Sequence, residues 1–402
     1  MKAKILPIYL AFLCMGFGDV VGPLVGLVKD SFNVSNFQAQ FMSFSGLIMF
    51  GVLSVPLGLL QDKKGKRFIM NLGLVVAFIG LIIPIINGMY GPRIDLVDSG
   101  ATKFYVLFFA ILLLGAGATT LQVVGNPIMR DISQAGQYSS NLSLAQSVKA
   151  VGSSLGFLLP PFAIKYFNLD WSILFPIYSI LILINLLWFN TIKIEEKKSG
   201  EEKPASLESC LSLLGNGYVL MMVSAIFFYV GAEVSMSSGV PILMKEKFGI
   251  AEVGLWVSWA LFFLPILVGR FTGGLILRKI KPTRFFITTV ILSITGLIFM
   301  FLGVKYLTFL GIILIGLGFA NIFPLIFSIT IEHMPERTNE LSGLMVMAIA
   351  GGAFIPPIMG FVADKSSLLI GFLVPFAAII YILWTALINF KKSNQLVLGE
   401  RQ

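Results

Sequence analysis

The chain has 402 residues, 57% hydrophobic and 12% charged, with a mean hydropathy of +0.91. Soluble domains carry about 25% charged residues, so a soluble enzyme or binding module is excluded and an all-α integral membrane protein is expected. The formal net charge of +9 would suit nucleic acid, but the basic residues gather in loops and mark membrane topology, so no nucleic-acid partner is expected.

Two cysteines, Cys14 and Cys210, support neither a disulfide framework nor a metal site, and the single histidine, His333, has no ligand-like company. No catalytic residue and no metal or other cofactor is expected, and the chain reads as a non-enzyme. The N-terminus, "MKAKILPIYLAFLCMGFGDVVGP", resembles a signal peptide at first sight. Its apolar run continues past Asp19 to about residue 28, beyond the roughly 7–15 apolar residues of a signal sequence. It reads as an uncleaved first span.

A bilayer core takes about 20 mostly apolar residues. Twelve such spans are predicted near 5–28, 38–60, 68–87, 104–129, 140–165, 172–192, 217–244, 254–277, 285–304, 307–331, 341–363 and 368–390. The charged stretch "IKIEEKKSGEEKPASLES" divides them six and six. The predicted organisation is an N-terminal six-helix bundle (1–192), a solvated cytoplasmic linker (193–214) and a C-terminal six-helix bundle (215–402). With the N-terminus inside, 19 of the 29 Lys and Arg fall on the cytoplasmic side, 8 fall outside and 2 lie within spans. That asymmetry satisfies the positive-inside rule and places both termini in the cytoplasm.

The halves resemble each other. "LLLGAGATTLQVVGNPIMRDI" (112–132) aligns with "LIGLGFANIFPLIFSITIEH" (314–333), and "GSSLGFLLPP" (152–161) with "GGAFIPP" (351–357). Internal duplication of this kind marks a secondary transporter with substrate bound near the midplane.

Ionisable residues within spans are functional candidates. In the first span Asp19 shares a face with Gly16, Pro23 and Gly26 and is a candidate proton or cation carrier, with a structural carboxylate as the alternative. Gln122 and Asn126, four apart in the fourth span, offer donors and acceptors for several hydroxyls, or else join helices. In the fifth span Lys149 shares a face with Gln146, Ser153 and Gly156. A lysine there costs about 2.5–3.5 kcal/mol on insertion scales, so it requires an anionic partner, either Asp19 or the cargo. Glu233 lies in the seventh span between Tyr229 and Ser237, as a second proton-coupling candidate or a structural carboxylate. Substrate contacts are assigned to Gln122, Asn126, Gln146, Lys149 and Tyr229. Trp256 and Trp259 could stack on a sugar ring, although an interfacial aromatic belt accounts for Trp256. Arg270 reads as part of a cytoplasmic gate.

The residues "GFGDVVGPLV" (16–25), "PLGLLQDKKGKR" (56–67), "GNP" (125–127), "LSLAQS" (142–147), "YVGAEVS" (229–235), "GRFTGG" (269–274) and the long block 321–364 resemble the fucose–galactose–glucose:proton symporter group of the major facilitator superfamily. The resemblance spans essentially the whole chain. It implies proton-driven sugar import at a bacterial inner membrane, with alternating access between two six-helix bundles and sugar bound centrally. It also implies a substrate and proton role for Asp19. Two positions depart from the group. Gln122 stands where the fucose transporters have a fourth-span glutamate, and Lys149 stands where they have an asparagine. The departures leave two substrates open: a neutral sugar, with Lys149 paired to Asp19, or a sugar acid whose carboxylate meets Lys149. Pairing with Asp19 is preferred. Sodium coupling, an exporter of drugs or metabolites, and a non-translocating sugar receptor are the alternatives. The partners expected are the lipid bilayer and a small sugar or sugar derivative, with the protein a monomer.

Overall fold

The structure, a computed structural model, describes residues 2–20, 28, 31–32, 36–91, 100–192, 206–250, 257 and 259–399. Among these residues the regular elements are all helical. Eleven helices are long and apolar enough to cross a membrane, and Leu6–Val20 forms a shorter apolar helix. Together they account for the twelve predicted spans. The chain is an all-α membrane protein.

The helices are α1 (Lys2–Met15, continued by a 3-10 turn, Gly16–Val20), α2 (Asn36–Lys64), α3 (Lys66–Ile86), α4 (Gly100–Ile132), α5 (Tyr138–Phe167) and α6 (Leu174–Thr191). The second set is α7 (Gly217–Phe248), α8 (Leu264–Ile276, preceded by a π turn, Trp259–Phe263), α9 (Pro282–Phe301), α10 (Lys305–His333), α11 (Pro335–Lys365) and α12 (Leu373–Gly399). Pro23, Gly26 and Trp256 lie outside the described residues.

Contacts divide the chain into two compact units. The first holds Met1–Ile132, Val148–Leu207 and Ser342–Met347; the second holds Ser133–Ser147, Glu208–Leu341 and Ala348–Gln402. Within the first unit α1 lies against α5 with backbone touching backbone. A Cβ on Gly152 would overlap the Leu13 carbonyl oxygen, and one on Gly16 would overlap the Lys149 carbonyl oxygen. Within the second unit α7 lies against α11 in the same manner. A Cβ on Gly351 would overlap the Phe227 carbonyl oxygen, and one on Gly231 would overlap the Ile355 side chain. Small residues permit this approach where no water is present to drive helices together.

Three local features differ from the predicted spans. The tenth span is interrupted: α10 is helical over Lys305–Phe319 and again over Ile322–His333, with Asn321 out of helical geometry at φ −114°, ψ 1°. Pro324 has no N–H to donate to the Ala320 carbonyl four residues back, so the ladder opens there. α11 tightens to a 3-10 turn at Ala348–Ala350, between Thr338–Met347 and Gly351–Lys365. The end of the linker, read from sequence as solvated, instead folds into a short helix, Leu207–Ser212, with Cys210 buried. There Ser209 Oγ donates to Glu340 Oε1 at 2.5 Å, while Arg337 pairs with Glu340 and donates to the Ser209 carbonyl.

Gly152→Ala and Gly351→Ala are expected to destabilise the protein by about 1–3 kcal/mol, the range for overpacked cores, read as lower melting midpoints in detergent. Gly360 has open space around its missing Cβ, so Gly360→Ala is expected to hold or raise the midpoint. Equal behaviour of all three variants would contradict the helix contacts described.

Candidate functional site

The glycine contact between α1 and α5 sets the first site. The 3-10 turn Gly16–Val20 begins where α1 crosses α5, and Phe17 anchors it by stacking on Tyr178 with centroids 3.7 Å apart and planes 6° from parallel. Both rings are buried. Asp19 comes two residues later. Its Oδ2 receives Lys149 Nζ at 3.2 Å and Ser153 Oγ at 2.9 Å, the latter two residues lying on one face of α5. The Lys149 side chain is 12% exposed and the Asp19 side chain 37% exposed. Charge-assisted hydrogen bonds of this kind are roughly twice as strong as neutral ones, and they supply the anion that a lysine in this span requires. The carboxylate retains contact with its surroundings.

The second site has a different construction. Arg270 Nη2 donates to Glu233 Oε1 at 3.2 Å, and Arg270 Nε donates to the Ala320 carbonyl at 3.1 Å. Tyr229 Oη donates to the Phe319 carbonyl at 2.9 Å and also interacts with Glu233 and Arg270. Asn321 Nδ2 reaches the Gly269 carbonyl at 2.7 Å. Arg270 therefore joins Glu233 to the interruption of α10, where the sequence had suggested a cytoplasmic gate. The signal for this was Pro324, which marks Ala320 as the carbonyl in need of a donor. The same device recurs in α4, where Pro127 releases the Val123 carbonyl and Ser342 Oγ takes it at 2.7 Å.

The two sites share a register. Asp19 lies six residues after Leu13, whose carbonyl faces Gly152; Glu233 lies six residues after Phe227, whose carbonyl faces Gly351. Lys149 precedes Gly152 by three residues. The matching position before Gly351 is Ala348, so the cation of the second site comes from α8.

The remaining expected contacts are more deeply placed. Gln122 and Asn126 are both buried, with Gln122 Nε2 donating to Asn126 Oδ1 at 3.3 Å. Gln122 Oε1 has no hydrogen-bond partner among the described residues. Gln146 and Tyr229 are buried as well. Trp259 Nε1 is buried and unpaired among the described residues. No group of three metal-ligating side chains occurs among the described residues.

Comparison with known proteins accords with this architecture. The chain is 25% identical over 394 residues to the glucose/galactose transporter of Brucella abortus, covering 95% of this chain and 93% of that one. It is 21% identical over 373 residues to the L-fucose-proton symporter of Escherichia coli, covering 84% and 81%. Its fold matches the crystal structure of the transporter FucP in the outward conformation, with a TM-score of 0.78 at 19% identity, covering 96% of this chain and 99% of that one. It also matches the proton:xylose symporter XylE, with a TM-score of 0.78 at 15% identity, covering 97% and 95%. The Major Facilitator Superfamily model matches residues 8–357, and the chain belongs to that superfamily of transporters.

Proposed function

We propose that the protein imports a neutral sugar, or a neutral sugar derivative, across a bacterial cytoplasmic membrane by proton symport and alternating access. The observation that carries the reading is the contact of Lys149 and Ser153 with one oxygen of Asp19. Lys149 already has its carboxylate within the protein, so an acidic cargo is not needed to balance it. The names of the glucose/galactose and L-fucose-proton relatives agree with an uncharged substrate.

Asp19 is the coupling residue in this scheme. When ionised it holds Lys149; when protonated it loses the charge that attracts the ammonium but keeps a hydrogen bond to offer. A proton and a sugar arriving together thus exchange an internal ion pair for a neutral carboxyl and a released lysine. A bistable contact of this type can bias a change of access. Gln122 cannot carry a proton, so it contributes no second step at that position.

Asp19→Asn in proteoliposomes is expected to abolish accumulation driven by a proton gradient while keeping sugar counterflow. Full accumulation by the variant would remove Asp19 from the coupling step. Asp19→Asn also leaves Lys149 without its anion, so the double variant Asp19→Asn/Lys149→Gln is expected to melt higher than Asp19→Asn alone.

Lys149→Gln distinguishes the cargo classes. In a thermal-shift screen of neutral monosaccharides and their acid forms, bound ligands raise the melting midpoint by mass action. Shifts by neutral sugars are expected in the wild type. Shifts confined to acid forms, lost selectively in Lys149→Gln, would replace the neutral-sugar reading with a sugar-acid one.

A further inference from the structure

The 3-10 turn Gly16–Val20 that carries Asp19 is held at every residue, and by three different helices. Residues three apart in such a turn eclipse one another, so Gly16 and Asp19 present the same side, with Phe17 and Gly18 on the other two. The side shared by Gly16 and Asp19 faces α5. A Cβ on Gly16 would overlap the Lys149 carbonyl, and the Asp19 carboxylate meets Lys149 Nζ and Ser153 Oγ. Gly18 faces α4, where a Cβ would lie 2.6 Å from Ala118 Cβ. Phe17 faces α6, where its ring lies flat on Tyr178 with centroids 3.7 Å apart. Val20 closes the turn against Gly156 of α5, whose missing Cβ leaves the space that the valine fills.

The glycine contacts limit how closely the turn approaches α4 and α5. Phe17 is the residue that limits its rotation, because it extends a large side chain to a third helix and both stacked rings are buried. Phe17 and Asp19 are separated by one residue, so they turn together. A rotation that carried Asp19 away from α5 would slide the Phe17 ring off Tyr178. Tyr178 makes this contact with its ring face. Its Oη is buried with no hydrogen-bond partner among the described residues, and a buried hydroxyl in that state costs free energy without returning a bond.

We propose that Tyr178 is a positioning residue for proton coupling. Through the stack on Phe17 its ring sets the rotation of the Gly16–Val20 turn and so holds the Asp19 carboxylate within reach of Lys149 and Ser153. The hydroxyl of Tyr178 has no part in the step. The assignment rests on the coupling role given to Asp19 above. Without the ring the turn rotates and the carboxylate loses both the ammonium and the hydroxyl donor. An anion deprived of such partners takes up a proton more readily.

The test uses the full-length protein in proteoliposomes with radiolabelled D-glucose, D-galactose and L-fucose, comparing the wild type with Asp19→Asn, Tyr178→Leu and Tyr178→Phe. If the wild type accumulates none of these sugars on a proton gradient, or Asp19→Asn accumulates as well as the wild type, the coupling reading fails and this assignment falls with it. Where that reading stands, Tyr178→Leu is expected to keep counterflow but lose most of its accumulation. The pH profile of its initial uptake rate is expected to move toward higher pH by about one pH unit, the low end of the effect of an opposite charge on a carboxylate. Tyr178→Phe is expected to match the wild type in accumulation and pH profile, with an equal or higher melting midpoint because the unpartnered hydroxyl is gone. An unchanged pH profile in Tyr178→Leu, which a purely structural role would give, would overturn the assignment. So would a Tyr178→Phe variant that behaves like Tyr178→Leu, since the hydroxyl would then be the working group. Should Tyr178→Leu not fold, Phe17→Leu empties the other half of the stack and carries the same expectations, and a wild-type pH profile in that variant would also overturn the proposal.

Discussion

The contact between α1 and α5 at Gly16 and Gly152, and its counterpart between α7 and α11 at Gly231 and Gly351, sets the geometry on which both sites depend. In a bilayer the lipid tails are as apolar as the helix surfaces, so close packing of backbones carries much of helix association. A carbonyl lying where a Cβ would otherwise be fixes both the spacing and the rotation of each helix pair. Once Leu13 faces Gly152, the next turn of the chain is committed: Asp19 arrives beside Lys149 and Ser153. Once Phe227 faces Gly351, Glu233 arrives at the matching place on α7. The duplication conserves position, and the chemistry at that position is then free to diverge.

Divergence takes the form of two cations with unlike physics. Lysine is a compact point charge on a flexible stem, able to approach or leave a carboxylate without disturbing other bonds. Arginine is a rigid fork, and Arg270 uses two of its donors at once, Nη2 for Glu233 and Nε for the Ala320 carbonyl. The first pair suits a contact that must be made and broken each cycle. Helix breaks at membrane depth are tolerated where neighbouring groups take up the released carbonyls, and Arg270 and Tyr229 do so at α10.

Much of the fold was legible because hydrophobic run length and loop charge are local properties. The twelve spans and the two-fold repeat required no knowledge of packing. The Lys149–Asp19 contact was legible too, since a lysine within a span demands an anion and few were at hand. The partners of Arg270 were not legible because they are chosen by the packing of α8 against α7 and α10, where Gly269 and Gly273 lie in close contact with α10. Gln122 and Asn126 were read from residue type and spacing as cavity residues, with a joint between helices as the alternative. Their mutual contact inside the protein depends on which face of α4 is buried, and a span apolar on most sides does not announce that face. The interruption of α10 had a readable marker in Pro324, and the donor that answers it did not.

The central claim is that Asp19 takes up the transported proton. Infrared difference spectroscopy on acidification of the full-length protein observes that event directly, through the protonated-carboxyl band. The result expected is a band present in the wild type and in Glu233→Gln, and missing in Asp19→Asn. A band that survives Asp19→Asn and disappears in Glu233→Gln would contradict the account.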